Sequence, residues 1–145
     1  MPERLLSSPD SPAYCRLVYH PELHRLHITW TGYVGPEYAR EGAEASLDML
    51  RELHCPYLLN DNSQLEGPWF DSLHWLAKEW GPAAASAGLQ YVAHVVRADT
   101  LASTFIATPA HQLFRKFEIQ IFDSLPEATE WLLSCQAIGH QEKEK

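Results

Sequence analysis

The strongest constraint on the fold is the spacing of apolar residues at every second position near the start of the chain. Every second residue is apolar from Cys15 to Tyr19 and again from Leu26 to Trp30, and Pro21-Glu22-Leu23 lies between the two runs. This period of two predicts a β-hairpin. Because a slip of one residue would turn an apolar face to water, the register is also predicted. The expected pairs are Tyr19 with Leu26, Leu17 with Ile28, and Cys15 with Trp30.

After the hairpin, helical periodicity alternates with short apolar runs. The predicted helices begin at Pro36, Trp69, Leu101 and Ser124, and the predicted strands between them are Tyr57–Asp61, Leu89–Val96 and Phe117–Phe122. Pro82 and Pro109 are expected to kink or split the second and third helices. This order predicts an α/β domain with a mostly parallel sheet of about five strands, an N-terminal β-hairpin and about four helices.

The length of 145 residues and the hydrophobic content of 46% suit a single globular domain. Residues 1–13 contain three prolines and three serines without apolar periodicity, and residues 139–145 are G-H-Q-E-K-E-K. Both ends are therefore predicted to be disordered. The expected α/β domain spans residues 14–138.

Charge and composition argue against several classes of function. The net charge of -8 disfavours a surface for nucleic acid or anionic lipid. No apolar run approaches the ~20 residues of a membrane span, and the first residues carry no secretory signal, so a cytoplasmic protein is expected. Cys15, Cys55 and Cys135 are too far apart for a zinc knuckle and odd in number, which argues against a disulfide framework.

The candidate binding surface is the edge of the sheet where the parallel strands end, because loops lead there into helix N-termini. Two segments qualify, residues 60–72 and 97–104. They supply the candidate ligand- or partner-binding residues Asp61, Ser63, Trp69, Phe70, Ser72 and Arg97. Asn, Asp and Ser side chains also serve as ordinary loop and helix caps, and capping is the competing interpretation for Ser72.

Several segments resemble the STAS family, which includes the anti-sigma-factor antagonists, and especially the SpoIIAA-like (STAS/SEC14-like) proteins of bacteria. The resemblance lies in D-N-S-Q-L at Asp61–Leu65, D-S at Asp71-Ser72, the passage Glu79–Val96, and F-D-S-L-P-E-A-T-E-W-L at Phe122–Leu132. It covers nearly the whole predicted domain. It implies a non-enzymatic binding or regulatory module without a cofactor, whose partner is a protein or a small molecule.

The resemblance also implies a candidate phosphorylation site. In phosphorylated antagonists a serine follows the aspartate of a D-S-S-G motif at a helix start, and Ser72 matches that first serine. Leu73 and His74 stand where the motif has its second serine and its glycine. A phosphate at Ser72 would be stabilised by the helix dipole and would change the charge presented to a partner.

Other functions stay open as alternatives. Trp69, Phe70 and Phe105 could line an apolar pocket, as in a SEC14-like carrier of a small apolar ligand or lipid. A hydrolase using His74 or His111 is the least favoured, because no G-x-S-x-G motif or phosphate-binding glycine loop occurs. A homodimer is also left open.

A metal site is not expected from the histidines of the hairpin. His20, His24 and His27 lie within eight residues, but the predicted register places His20 opposite Arg25 and His27 opposite Val18. His94 alternates with apolar residues on a central strand, which predicts a hydrogen-bonded core histidine.

Overall fold

The computed structural model describes residues 3–9, 11–66, 76–100 and 117–144. The strands are β1 (Glu3–Leu6), β2 (Cys15–His20), β3 (Arg25–Gly32), β4 (Tyr57–Leu65), β5 (Tyr91–Val95) and β6 (Glu118–Phe122). The α-helices among these residues are α1 (Pro36–Leu53), α2 (Gly81–Ser86) and α3 (Leu125–Glu144). Short helical turns occupy Pro21–Leu23, Leu76–Trp80 and Ala98–Thr100.

The six strands form one mixed sheet in the order β1-β2-β3-β4-β5-β6. The β1–β2 and β2–β3 pairs are antiparallel, whereas β3–β4, β4–β5 and β5–β6 are parallel. The α/β class is therefore confirmed. The sheet has six strands where about five were predicted, and two antiparallel pairs make it mixed, not mostly parallel.

The two ends of the described chain differ from the expectation of disorder. Glu3–Leu6 form β1, which pairs with β2 from Glu3 opposite Val18 to Leu6 opposite Cys15. At the other end, α3 continues to Glu144. The apolar pattern of Glu3–Leu6 is weak, because β1 lies at a sheet edge, where backbone hydrogen bonds hold it and its side chains lie largely in solvent.

The predicted hairpin is confirmed in its register. Cys15 pairs with Trp30, Leu17 with Ile28, and Tyr19 with Leu26. This apolar face packs against α1 and α2 and includes the buried Trp30. Pro36 stands in the first turn of α1, as predicted from its fixed backbone angle.

The opposite face of the sheet packs against α3. Tyr57, Leu59, Ala93 and Val95 of the sheet form a second buried cluster with Ala128, Leu132 and Cys135 of that helix. The backbone N–H of Glu127 donates to Ser124 Oγ at 3.4 Å, which places Ser124 at the predicted helix start. The sheet is thus covered by helices on both faces.

The second predicted helix is partly described. Leu76–Trp80 form a π-helical turn that passes into α2 at Gly81, and Pro82 lies in the first turn of α2. The expected break at Gly81-Pro82 therefore takes the form of a change in helix type. The remainder of that helix, and the helix predicted from Leu101 to Lys116, lie outside the described residues.

Candidate functional site

The predicted site lies at the carboxyl edge of the central strands, where β4 and β5 end. The structure corrects one part of it. The sequence predicts a strand that ends at Asp61 and a loop that contains Ser63, but β4 continues to Leu65, and its last residue pairs with Gly32 of β3. Asp61 is buried with its neighbours Asn60 and Asn62. The carboxyl edge is therefore built on a rigid strand that carries an unusual run of buried polar side chains.

Asn60 is the centre of a buried hydrogen-bond network on the face that packs against α1. Trp30 Nε1 donates to Asn60 Oδ1 at 2.7 Å. Because an indole N–H can only donate, this bond fixes the amide oxygen of Asn60 toward Trp30. The amide nitrogen Nδ2 then points away, 3.2 Å from Asn62 Oδ1 and 2.9 Å from His94 Nδ1. Both donor positions of the amide are used, and the side chain is held in one orientation.

The same network fixes the state of His94. Asn60 Nδ2 can only donate, so His94 Nδ1 accepts and the proton of the neutral ring lies on Nε2. Burial lowers the pKa of His94 to about 4, although Asp61 and Asn60 act in the opposite direction. The ring is neutral near pH 7. His94 is the hydrogen-bonded core histidine that the alternation predicted.

Asp61 lies on the other face of β4, at the point where the register with β3 changes. Its Oδ1 accepts the backbone N–H of Ser63 at 2.9 Å. At this point the pairing with β3 shifts, since Thr29 is opposite Asp61 but Thr31 is opposite Gln64. The extra residue in β4 is a β-bulge, a feature that re-aims side chains near functional sites. Asp61 therefore acts as a local positioning group for the half-buried Ser63.

Arg97 lies two residues beyond the end of β5, which is the strand next to β4. Its Nε and Nη2 lie 3.2 Å and 3.4 Å from the two carboxylate oxygens of Asp99. Both side chains are largely exposed, so the pair adds little to stability. It presents a fork-shaped pair of opposite charges at the carboxyl edge.

The structure thus places Asp61, Ser63 and Arg97 at one edge of neighbouring parallel strands. The other predicted site residues, Trp69, Phe70 and Ser72, lie outside the described residues. The same holds for the candidate groups of the alternative functions at Phe105, His74 and His111.

Sequence analysis missed the link between Trp30, Asn60 and His94. The sequence predicts Trp30 in the core and His94 on a strand face, both as found, but it indicates no partner for Asn60, which lies where the predicted strand passes into a polar segment. The available signal was the register, because Asn60 lies directly opposite Ile28 and His94 on the flanking strands. A polar residue at that position must find a partner on its own face.

The hairpin histidines form a different arrangement. The register of His20 with Arg25 and of His27 with Val18 is as predicted, but the rings of His20 and His27 approach to 4.4 Å between centroids, so two of the three rings meet. The third, His24, has its Nδ1 3.5 Å from the hydroxyl of Tyr19. Within the described part of the chain, no group of three or more His, Cys, Asp or Glu side chains is arranged to hold a metal ion.

Comparison with known proteins adds no further assignment, because no family model and no curated protein matches this chain. None of the helices in the described ranges combines the length and the apolar character that a membrane crossing requires.

Proposed function

We propose that this protein is a non-enzymatic, STAS-like binding or regulatory module. Its contact surface is the carboxyl edge of the sheet, formed by residues 60–72 and 97–104, and it recognises a protein partner or a small ligand. Two kinds of observation support this function: the resemblance of several sequence segments to the STAS family, and the geometry of the described residues at this edge.

The observation that carries the proposal is the buried network around Asn60. An amide held by Trp30, Asn62 and His94 gives the end of β4 one conformation. Buried polar groups cost free energy unless they are satisfied, and a satisfied network rigidifies its surroundings. Such a strand end supports a recognition surface, because preorganised groups lose little entropy on binding.

Ser72 is the proposed point of regulation. A phosphate there would add a charge of about -1.5 to -2 next to Asp71 and close in sequence to the contact surface. Replacement of Ser72 by Asp, compared with replacement by Ala, is expected to change partner binding while the fold survives. Equal binding by both variants would assign Ser72 a capping role.

The competing SEC14-like carrier function depends on Trp69, Phe70 and Phe105, which would line an apolar pocket. It differs from the proposed module in what it binds, because a carrier retains an apolar molecule inside the domain. The mass of the bound species therefore separates the two functions.

The test is site-specific photocrosslinking in cells. A photoreactive amino acid replaces the half-buried Ser63 at the carboxyl edge or, as the control, the exposed Glu52 near the end of α1. The backbone N–H of Ser63, not its hydroxyl, bonds Asp61, so the bulge is kept in the variant. We expect one defined adduct from position 63 and none of that mass from position 52.

Two results would contradict the proposal. The first is an adduct of equal yield from both positions, which would mean that contact is nonspecific. The second is the absence of any adduct at position 63 together with a defined adduct at position 52, which would place the recognition surface at the other edge of the sheet.

A further inference from the structure

A buried cation lies on the other side of the sheet, away from the network of Asn60. Arg25 begins β3, and only 1% of its surface is exposed. Its Nε and Nη2 atoms are shielded from solvent and have no hydrogen-bond partner among the described residues. An arginine remains charged in proteins, so this side chain holds a buried positive charge.

Among the described residues, the neighbours of Arg25 across the sheet and the thiol that interacts with it electrostatically carry no negative charge. His20 faces it across the antiparallel pair and Tyr57 across the parallel pair. Cys55 interacts with it electrostatically, but burial raises the pKa of the Cys55 thiol to about 11, so the thiol is neutral near pH 7. The ion pairs found within the described ranges do not include Arg25.

His27 adds a second unsatisfied polar group, a ring nitrogen, to the same face of β3. It lies two residues from Arg25, and its Nε2 is likewise buried without a hydrogen-bond partner in the described structure. Burial, the neighbouring His20 and the positive charge of Arg25, in that order, lower the pKa of His27 to about 4, while Asp61 and Glu22 act in the opposite direction. The two side chains are thus electrostatically coupled.

The unsatisfied atoms of Arg25 have a specific geometry. Nε and Nη2 form one side of the planar guanidinium, and their two N–H bonds run parallel, as in the bidentate pairing with two oxygens of a carboxylate or phosphate. We propose that this edge of Arg25, together with Nε2 of His27, binds the carboxylate or phosphate group of a small ligand.

This assignment accounts for a charge that would otherwise only cost stability. Taking an ion out of water without a partner is strongly unfavourable, and replacing such an ion by an apolar side chain of similar size often stabilises a protein. An arginine that serves to bind a ligand destabilises the protein without the anion, and binding of the anion stabilises the folded state again. Because the nitrogens are shielded, the anion reaches them only when neighbouring side chains move.

The first experiment measures binding of inorganic phosphate and, separately, of acetate to the full chain. Thermal unfolding is followed with each anion against chloride at equal ionic strength, and the histidine resonances are followed by NMR. We expect a saturable rise in the unfolding midpoint with at least one anion and a rise in the pKa of His27. If neither phosphate nor acetate raises the unfolding midpoint more than chloride does, the proposal is overturned.

The second experiment compares Arg25→Met with Arg16→Met. Arg16 lies on the same face, but it is exposed and pairs with Glu3 at 2.8 Å, so it controls for loss of a surface charge. We expect Arg25→Met to raise the unfolding midpoint without anion and to weaken anion binding at least about tenfold, as the loss of a bidentate pair predicts. Arg16→Met should bind the anion as the wild type does.

A lower midpoint for Arg25→Met would overturn the proposal, because it would show that Arg25 is paired within the protein itself. Unchanged anion binding in Arg25→Met would overturn it as well. Neither result bears on the carboxyl edge, which is tested separately through Ser63.

Discussion

At the scale of single residues, two half-buried histidines have strongly lowered pKa values. His94 on β5 accepts a hydrogen bond from Asn60, and His27 on β3 lies beside the charged Arg25. Burial is the largest cause of the lowered pKa in both, and each pKa is about 4. Both rings are therefore neutral in the folded protein under conditions where an exposed histidine takes up a proton.

This state predicts a loss of stability in mild acid. In the unfolded chain both histidines have the ordinary pKa of 6.5, so between pH 6.5 and about 4 the unfolded chain binds protons that the folded chain rejects. The free energy of unfolding should therefore decrease as the pH is lowered across this window, by up to about 1.4 kcal/mol per pH unit for each histidine. The measurement is urea unfolding at several values of pH between about 7 and 5.

The control is the pair of variants His27→Gln and His94→Gln, which remove one titrating ring each. We expect each variant to have a shallower dependence of stability on pH, and the double variant the shallowest. An unchanged slope in the double variant would show that other groups cause the acid sensitivity.

At the scale of elements, α1 lies very close to the sheet at Gly42. A Cβ built there would lie 2.3 Å from Cη2 of Trp30 and 3.2 Å from Sγ of Cys15. The close approach buries Trp30 and lets Trp80 Nε1 donate to the carbonyl of Ala43 at 3.0 Å. The position of α1 over β3 therefore depends on the missing side chain of Gly42.

Gly42→Ala is accordingly expected to destabilise the protein. Alanine favours a helix by about 1 kcal/mol over glycine, but overpacking a tight core costs typically 1–3 kcal/mol, and here the neighbour is a rigid indole. We expect a lower urea midpoint for Gly42→Ala. The matched control is Gly35→Ala, because the same added Cβ has no atom within 4 Å there. A stability gain in Gly42→Ala would contradict the described packing.

The elements differ in how far the sequence determined them. The register of β2 with β3 was predictable, because one face of each strand is buried and a slip would expose it. The extension of β4 beyond Asp61 was not predictable, because its polar residues resemble a loop until their partners across the sheet are known. β1 escaped prediction for another reason: four mostly exposed residues at an edge have no periodicity to detect.

At the scale of the whole molecule, two separate polar features lie on the two faces of one sheet. The network of Asn60 faces α1, whereas Arg25 and His27 lie on the face that packs against α3 in its parallel part. The candidate site could be located from the sequence, since parallel strands end at one edge. The hydrogen bonds within the site could not be predicted from the sequence, because they depend on which side chains the register brings together.

We propose that the protein binds its partner through the carboxyl edge of the sheet. Native mass spectrometry of the chain purified from its own cells tests it directly, with Arg97→Glu compared with Arg40→Glu, an exposed arginine on α1. The proposed function predicts a bound protein or polar small ligand that is retained by Arg40→Glu and diminished in Arg97→Glu. Equal retention by both variants, or a bound species with the mass of a lipid, would contradict it.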